Sequence, residues 1–222
     1  DITMPFVHIS GSSEPIRVNT VFCIGRNYAE HAKELNNPIP KKPMVFLKPN
    51  SSLELSNGKV ELPAESNDVH HEVELVLLIG KKGSKLAVDE AWAYVSAIGI
   101  GIDFTARDLQ QKAKEKGHPW TLSKGFDTFG PVSEFISSKE FSTSSVFELE
   151  LQVNDEVRQH GFTSDMIFSI SELVSYVSGF STLQEGDLIF TGTPEGVSKV
   201  NSGDKILAKL NKGVVSLELS VA

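Results

Sequence analysis

The chain has 222 residues, of which 40% are hydrophobic and 23% are charged, and its formal net charge is −8 at pH 7. A chain of this length buries roughly 70% of the surface that it exposes when unfolded, so it can form a core without disulfides. The acidic balance argues against binding to nucleic acid or to an anionic membrane, because both require clustered lysine and arginine. Anionic metabolites can still bind through a few local cations or a bound metal.

The single cysteine, Cys23, excludes a disulfide framework and favours a reducing compartment. No apolar run reaches the 18 or more residues of a transmembrane helix. The first residues, DITMPFVHIS, lack the basic start and the apolar stretch of a signal peptide. We therefore expect a cytoplasmic protein that binds neither membranes nor nucleic acid.

Eight apolar or alternating segments predict β-strands. They lie at 21–25, 44–48, 72–80, 97–104, 147–153, 187–192, 205–210 and 214–221. Two hairpin turns are predicted, at Asn154-Asp155 and at Asn211-Lys212-Gly213. Helices are predicted at 27–36, 88–96, 105–116 and 171–179. Thr105 with Asp108 resembles a capping box for the third helix, and Gly117 supplies its end.

This order of elements lacks the regular strand–helix alternation of a doubly wound sheet. Many strands with unequal connections favour a β-rich α+β fold, with a rolled or sandwiched mixed sheet and peripheral helices. No linker separates two domains. We expect an N-terminal extension over residues 1–17 and one domain over residues 18–222.

The segment HHEVELVLLIG places two carboxylates on one face of a predicted strand. Residues two apart share a face, so His70, Glu72 and Glu74 point the same way. Because this face continues with Val76 and Leu78, both glutamates are expected in the interior, where a carboxylate must be paired, protonated or bound to a metal. A metal ion and an internal salt bridge to lysine or arginine are the two alternatives.

The same spacing at Glu148 and Glu150 shows that spacing alone is weak evidence. The face of these two residues continues into Gln152 and Asn154, which indicates a solvent-facing edge. The apolar continuation beyond Glu74 is therefore the feature that favours a metal.

A third carboxylate, Asp103, ends the apolar strand AIGIGIDF and precedes the helix TARDLQQKAKEKG. Asp103, Arg107, Gln110 and Lys114 fall on one helical stripe at i, i+4, i+7 and i+11. For Arg107 a local ion pair with Asp103 is the simple alternative to a functional role. Lys114 is expected on a solvated helix face.

Six blocks of sequence carry a resemblance to a known family: GRNYAEH, FLKP, HHEVEL, DFTARDLQ, GHPWTLSKGFDTFGP and TGTPEGV. In this order and spacing, over about residues 18–221, the chain resembles the fumarylacetoacetate hydrolase family, and within it the small acylpyruvase and oxaloacetate decarboxylase branch. The resemblance implies that the domain over residues 18–222 is catalytic, that it has the fold of the family's C-terminal domain with a lid helix, and that it forms a homodimer.

The resemblance also implies a metal site. Glu72, Glu74 and Asp103 match the carboxylates that hold Mg²⁺ or Mn²⁺ in the family, and an all-oxygen set suits such a hard cation. His70 is not a ligand in that pattern. Lys124 matches the family's active-site lysine, whose ammonium would stabilise an enolate.

The remaining matches concern water activation and substrate binding. His31 and Glu34 match a dyad that lies on a mobile lid in the acylpyruvase-like branch and activates the attacking water; at i and i+3 they can touch. The implied substrate contacts are Arg26, Tyr28, Arg107, Gln110 and Thr193. TGTPEGV is not a phosphate loop, because it lacks the Walker lysine.

The predicted function is a metal-dependent hydrolysis of small acylpyruvates, such as acetylpyruvate or fumarylpyruvate, to pyruvate and a carboxylate, with oxaloacetate decarboxylation as a second activity. An oxaloacetate keto–enol tautomerase is the main alternative, and an isomerase or decarboxylase of an aromatic catabolic pathway is another. All three act on a small 2-oxo acid. The His31–Glu34 dyad discriminates between them, because only hydrolysis requires an activated water.

Overall fold

The computed structural model describes residues 5–222. The strands of this part of the chain are β1 (Phe6–Val7), β2 (Ile16–Arg17), β3 (Val21–Gly25), β4 (Met44–Lys48), β5 (Leu53–Leu55), β6 (Gly58–Val60), β7 (Val69–His70), β8 (Val73–Ile79), β9 (Val95–Ile102), β10 (Thr105–Ala106), β11 (Gly130–Val132), β12 (Ile136–Ser137), β13 (Glu148–Val153), β14 (Glu156–Phe162), β15 (Leu188–Phe190), β16 (Lys205–Leu210) and β17 (Val215–Val221). The α-helices are α1 (Ala29–Glu34), α2 (Val88–Ala91), α3 (Arg107–Lys116), α4 (Thr121–Lys124) and α5 (Ile170–Phe180).

Two mixed β-sheets form the framework. The larger sheet has eight strands, seven of them in the order β4-β3-β15-β8-β9-β11-β5, with β12 also pairing with β9. The smaller sheet has five strands in the order β14-β13-β16-β17-β6. Both sheets contain parallel and antiparallel pairs: β15 is parallel to β3 and antiparallel to β8. This architecture confirms the predicted β-rich α+β fold.

Strand β8 runs through the interior and is buried along its whole length. Leu75 and Leu77 pack into the main core, which includes the inward-facing side chains of the smaller sheet. Val76 and Leu78 point the other way, into a second apolar cluster. Because both faces are covered, Glu74 lies inside the protein, as its apolar continuation predicts.

The predicted helices over 27–36 and 88–96 are shorter in the structure. Helix α1 has six residues, and Tyr28 before it is extended. Helix α2 is followed by a 3₁₀ turn at Trp92–Tyr94. The end of the second prediction is wrong because Val95 already belongs to β9, where it pairs with Ile79 of β8.

Helix α3 begins at Arg107 rather than at residue 105. The predicted capping box is wrong, because Thr105 lies in β10, which pairs with β7. Asp108 instead accepts hydrogen bonds from the Ser66 hydroxyl and from the Asn67 N–H. As predicted, Gly117 ends the helix in the left-handed conformation.

Both predicted hairpin turns are confirmed. Asn154 and Asp155 join β13 to β14 with φ of 51° and 64°, the left-handed pair that a type I′ turn requires. Residues 211–213 join β16 to β17. On β13, Glu148 and Glu150 are only half-buried, in contrast to Glu74.

Residues 5–17, within the predicted N-terminal extension, contact the rest of the chain; residues 1–4 lie outside the described part. Strands β1 and β2 pair antiparallel, Val7 is fully buried, and the Ser10 N–H donates to the Phe135 carbonyl. No α-helix in residues 5–222 is long and apolar enough to cross a membrane.

Candidate active site

A small cavity is lined by residues of β3, β4, β8, α1, α3 and α4 and of the loops beside them. Most of its lining is polar or charged. The polar lining residues are Arg26, His31, Asn37, Glu72, Glu74, Asp103, Arg107, Gln110, Lys114, Trp120, Lys124 and Thr193. Of the eleven predicted site residues, nine line this cavity. The other two are Tyr28, which is buried, and Glu34, which contacts a lining residue.

Three buried carboxylates meet at the inner end of the cavity. Glu74 lies on β8, Glu72 immediately precedes this strand, and Asp103 follows the antiparallel neighbour β9. The Asp103 N–H donates to the Glu72 carbonyl at 2.8 Å, which fixes the two segments together. One oxygen of each carboxylate lies within 4.8 Å of one oxygen of each of the others.

Two cations balance the Glu72 carboxylate. Lys124 Nζ, from α4, lies 3.1 Å from Glu72 Oε2 and 2.5 Å from Asp103 Oδ2, and it also donates to the Thr105 hydroxyl at 2.6 Å. Arg107 donates to Glu72 Oε1 at 2.5 Å. Burial alone would raise the pKa of Glu72, but Lys124 and Arg107 lower it well below its usual range.

The environment of Lys124 keeps it charged. Burial would lower the pKa of this ammonium, but the Asp103 and Glu72 carboxylates raise it above its usual value. Lys124 therefore places a positive charge at the edge of the carboxylate cluster at neutral pH.

Glu74 has no such partner. Its carboxylate accepts one hydrogen bond, from the Gly192 N–H at 2.8 Å, and no lysine or arginine of residues 5–222 pairs with it. Burial, together with the neighbouring Asp103 and Glu72 carboxylates, raises the pKa of Glu74 well above its usual range. A buried carboxyl group without a cation must either keep its proton or bind a metal ion. Three converging carboxylates with this unmet charge fit a hard divalent cation.

A second buried lysine, Lys48, was missed by the sequence analysis. Its Nζ lies 2.7 Å from Asp103 Oδ1, as an ion-pair contact without hydrogen-bond geometry, and it donates to the carbonyls of Phe104 and Lys124. Lys48 ends the apolar strand MVFLK, within the FLKP block. The same reasoning that singled out Glu74, a charge entering an apolar strand, could have identified it.

The predicted contact between His31 and Glu34 is formed on α1. His31 is 5% exposed, and its Nδ1 lies 3.2 Å from Glu34 Oε2. The Gly196 N–H donates to both Glu34 oxygens at 3.1 and 3.3 Å. Burial would raise the pKa of Glu34, but the hydrogen bonds from His31 and Gly196 lower it, so an ionised carboxylate faces the imidazole.

Arg107 pairs with Glu72, so the alternative of a local ion pair with Asp103 is wrong, because Asp103 precedes the helix rather than lying on it. Arg107 also donates to Gln110 Oε1 at 2.8 Å. His70 lies on the outer side of this arginine, 3.5 Å from its Nε. Its other ring nitrogen, Nε2, lies 2.9 Å from Asp68 Oδ1, and the residue does not line the cavity.

The expectation that Lys114 lies on a solvated face is wrong. The residue is half-buried and lines the cavity, because the segment before α4 places Trp120 beside it, with Lys114 Nζ 5.6 Å from the ring centroid. Burial, with the nearby cations Arg26 and Arg107, lowers the pKa of Lys114 to about 8. Arg26 has a left-handed backbone, with φ of 59°, and its buried Nε makes no hydrogen bond with residues 5–222.

Thr193, in the segment TGTPEGV, is 2% exposed and lines the cavity. Its hydroxyl accepts a hydrogen bond from Gln159 Nε2 at 2.8 Å. Tyr28, the other implied contact near α1, lies outside the cavity lining, and its hydroxyl is buried. The cavity thus combines a carboxylate cluster, a charged lysine, an imidazole–carboxylate pair and two outer cations.

Known proteins share this chain's sequence and architecture. The mitochondrial oxaloacetate tautomerase of Arabidopsis thaliana is 48% identical over 188 residues, 85% of this chain and 84% of that protein. The mitochondrial oxaloacetate decarboxylase of Dictyostelium discoideum is 48% identical over 187 residues, 84% of this chain and 86% of that protein. Both similarities extend over most of each protein.

A solved structure shares the fold. The crystal structure of fumarylpyruvate hydrolase from Pseudomonas aeruginosa in complex with Mn²⁺ and pyruvate matches with a TM-score of 0.93 and 35% identity, over 99% of this chain and 96% of that one. The family model of the fumarylacetoacetate (FAA) hydrolase C-terminal domain matches residues 20–222. The chain therefore belongs to the fumarylacetoacetate hydrolase family, as the six sequence blocks indicate.

Proposed function

We propose that the protein is a metal-dependent enzyme that converts oxaloacetate, by decarboxylation or by keto–enol tautomerisation, through an enolate. The observation that carries the proposal is the position of Lys124, a charged ammonium held at the edge of three buried carboxylates. One of these, Glu74, pairs with no lysine or arginine of residues 5–222. The two relatives whose names state oxaloacetate chemistry, each 48% identical, support this substrate.

Glu72, Glu74 and Asp103 would hold the metal. When bound, Mg²⁺ or Mn²⁺ supplies a Lewis acid that polarises the 2-oxo group of the substrate. The Mn²⁺ in the fumarylpyruvate hydrolase structure supports a divalent ion.

The residues around this cluster perform the rest of the reaction. In decarboxylation the bond between C3 and C4 breaks, CO₂ leaves, and the electron pair moves to the 2-oxo oxygen as an enolate. In tautomerisation a water molecule takes a proton from C3, the electron pair of that C–H bond moves to the 2-oxo oxygen, and the oxygen takes up a proton from the resulting hydronium ion to give the enol. Lys124 stabilises the negative charge in both cases. Arg107, Gln110 and Thr193 orient the substrate, and Arg26 with Lys114 attracts its second carboxylate.

Hydrolysis of acylpyruvates is the second candidate, and the His31–Glu34 pair favours it. Glu34 orients His31, which takes a proton from water; the hydroxide adds to the acyl carbonyl, and the C–C bond breaks to give a carboxylate and the enolate of pyruvate. The structural likeness to a fumarylpyruvate hydrolase supports this reading.

One assay tests both candidates. The protein is incubated with Mg²⁺ or Mn²⁺ and with oxaloacetate, acetylpyruvate and fumarylpyruvate in parallel, while the enol absorbance and the release of pyruvate and CO₂ are followed. We expect turnover of oxaloacetate that EDTA abolishes and added Mg²⁺ or Mn²⁺ restores. Full turnover in metal-free buffer, or none with any of the three substrates, would contradict the proposal.

Lys124→Met is expected to lower kcat by roughly 10²-fold or more, the scale observed when one electrostatic donor is removed from an active site. Methionine keeps much of the volume of the stem and deletes the charge. Decarboxylation and hydrolysis should both suffer, because both pass through the enolate. Steady-state kinetics with Lys209→Met, a lysine paired with Glu150 on the smaller sheet, provides the control. A loss confined to KM would mean that Lys124 only binds substrate.

A further prediction concerns pH. Lys114 is charged below its pKa of about 8 and neutral above it. Three cations (Arg26, Arg107 and Lys124) and one carboxylate (Glu72) surround it. For a dianionic substrate, kcat/KM should fall by about fivefold as the pH rises through 8, the scale of a partly exposed charge contact.

Lys114→Met should remove that pH dependence and lower kcat/KM at pH 7 by a similar factor. Lys116→Met, which alters an exposed lysine on the same helix, should change neither. The measurement is kcat/KM for oxaloacetate from pH 6.5 to 9.5. An unchanged pH profile in the Lys114 variant would show that this lysine does not contact the substrate.

The cytoplasmic location and the homodimer stay predictions. The two relatives described above are named as mitochondrial, which leaves the compartment of this protein to be determined by fractionation. Sedimentation velocity would measure the oligomeric state.

A further inference from the structure

Gln159, on β14, is the centre of a buried hydrogen-bond network beside the cavity. It is 1% exposed and does not line the cavity. Its Oε1 accepts from His71 Nδ1 at 2.8 Å and from the Val73 N–H at 3.0 Å. Its Nε2 donates to the Thr193 hydroxyl and to the Pro194 carbonyl, both at 2.8 Å. Both acceptor sites and both donor sites of the carboxamide are therefore used.

Only one assignment of donors and acceptors satisfies this network. The Pro194 carbonyl can only accept, so the NH₂ group of Gln159 must face it, and the carboxamide oxygen then faces His71. His71 consequently carries its proton on Nδ1. The Ser198 hydroxyl, 2.8 Å from His71 Nε2, donates to that nitrogen.

The acceptor side of Gln159 holds the segment that carries two of the candidate metal ligands. Val73 lies between Glu72 and Glu74, and His71 immediately precedes Glu72. A shift of the Val73 backbone would move both carboxylates together.

The donor side holds residues 191–196, which we call the glycine loop. This loop supplies Thr193 to the cavity, the Gly192 N–H to Glu74 and the Gly196 N–H to Glu34. It therefore contacts both the carboxylate cluster and the His31–Glu34 pair. Gln159 joins this loop to the segment with the metal ligands at Val73, Thr193 and Pro194. Thr191 and Gly192, at the start of the loop, also bond the Leu75 carbonyl and the Glu74 carboxylate.

The backbone of β14 closes the space behind the loop. A Cβ at Gly196 would lie 2.2 Å from the carbonyl oxygen of Arg158, and one at Gly161 would lie 2.7 Å from Pro194 Cβ. The loop cannot move closer to the strand. Along the strand, Thr193 and Pro194 in the middle of the loop are held by the two hydrogen bonds from Gln159.

We infer that Gln159 is a positioning residue that sets the separation between the Glu72–Glu74 segment and the glycine loop. It touches neither the cavity nor the carboxylates, and acts through Val73, Thr193 and Pro194. The inference rests on the proposed function for its kinetic readout, whereas its metal readout is independent of turnover.

The test is Gln159→Met, which keeps the length of the side chain and deletes all four hydrogen bonds. We expect the Kd for Mn²⁺, measured from free Mn²⁺ in an EPR titration, to rise by about 10-fold. This is the lower end of the cost of losing a direct partner of a metal ligand, because Gln159 acts on the ligands through the Val73 backbone. The kcat for oxaloacetate at saturating Mn²⁺ should fall on the same scale, because the loop is no longer held in register. Both are measured well below the thermal midpoint, where a merely structural role would change neither.

Gln152→Met is the matched control, because Gln152 lies on the neighbouring strand β13 and its side chain donates to Glu150 on the same strand, away from the cavity. It should change Kd and kcat by less than about twofold. If Gln159→Met does not fold, Gln159→Asn replaces it. The shorter asparagine cannot bond the Val73 segment and the glycine loop at the same time, so the same losses in metal affinity and kcat are expected.

Two results would overturn the inference in distinguishable ways. A Gln159 variant that matches the wild type in Kd and kcat, with only a lower thermal midpoint, would overturn this inference alone. A wild-type protein that binds no Mn²⁺ would overturn the proposed function together with it.

Discussion

Glu74→Gln is expected to abolish divalent-metal binding and metal-dependent turnover, and to leave the metal-free protein at least as stable as the wild type. Glu74 is 1% exposed and has no paired cation in the described residues. Asp103 and Glu72 lie beside it and make its ionisation unfavourable. In the absence of metal, this carboxylate therefore costs folding free energy.

A glutamine of the same shape removes that cost. Its amide oxygen can still accept from the Gly192 N–H, and its NH₂ group can donate to a neighbouring carboxylate. Bound metal makes the wild type the more stable of the two proteins, because a ligand that binds only the folded state stabilises it by RT ln(1 + [L]/Kd). Wild type should gain stability from Mn²⁺, and the variant should not.

The measurements are a Mn²⁺ titration and the Tm of both proteins in EDTA and in excess Mn²⁺. Glu150→Gln, which alters a half-buried glutamate of the same i, i+2 spacing on β13, should behave as the wild type in every assay. A variant that still binds Mn²⁺ would remove Glu74 from the metal site. A clearly lower Tm of the variant in EDTA would show that another group already compensates the carboxylate.

The parts of the fold that local sequence could predict are strands of five or more residues with a continuous or alternating apolar pattern. Segments 21–25, 44–48 and 205–210 match β3, β4 and β16 residue for residue, because apolar periodicity is a local signal. The strands that were missed include β5, β7 and β10, which have only two or three residues and pair with distant segments. Such short segments carry no period that a sequence pattern could reveal.

The same distinction separates the site residues. Glu72, Glu74 and Asp103 could be found locally, because each interrupts or ends an apolar strand. Gln159 could not, since the segments that it joins are 34 and 88 residues away along the chain. Lys114 was misplaced because its burial depends on Trp120, which precedes a four-residue helix too short to be predicted from periodicity.

His31→Ala is expected to lower the rate of acylpyruvate hydrolysis by about 10²- to 10⁴-fold, the usual contribution of a general base, and to lower oxaloacetate decarboxylation much less. The imidazole lines the cavity, and its Nδ1 faces an ionised Glu34. That carboxylate holds the proton on Nδ1 and leaves Nε2 as the base. Only hydrolysis needs a base directed at water; decarboxylation releases its electron pair without one.

Glu34→Ala should cause a similar selective loss, although its origin differs. Glu34 is fixed by the Gly196 N–H as well as by His31, so its carboxylate holds α1 against the glycine loop. Without it the imidazole can rotate and can carry its proton on either nitrogen. If α1 opens as a lid, loss of this contact should also speed product release. Burst-phase kinetics would measure this rate separately from the chemical step.

The control lies on the same helix. Glu30 and Lys33 form an exposed ion pair with the same i, i+3 spacing, so Glu30→Ala tests whether any disturbance of α1 has this effect. It should leave both reactions near wild-type rates, since an exposed pair contributes little.

The double variant of His31 and Glu34 decides whether the two residues act as one unit. Groups that act together are strongly non-additive, so the variant with both alanines should be little worse than His31→Ala alone. Equal losses in hydrolysis and decarboxylation would show that the pair positions substrate rather than water. Unchanged hydrolysis in both single variants would leave His31 and Glu34 as a structural contact between α1 and the glycine loop, and would favour an oxaloacetate enzyme without hydrolase activity.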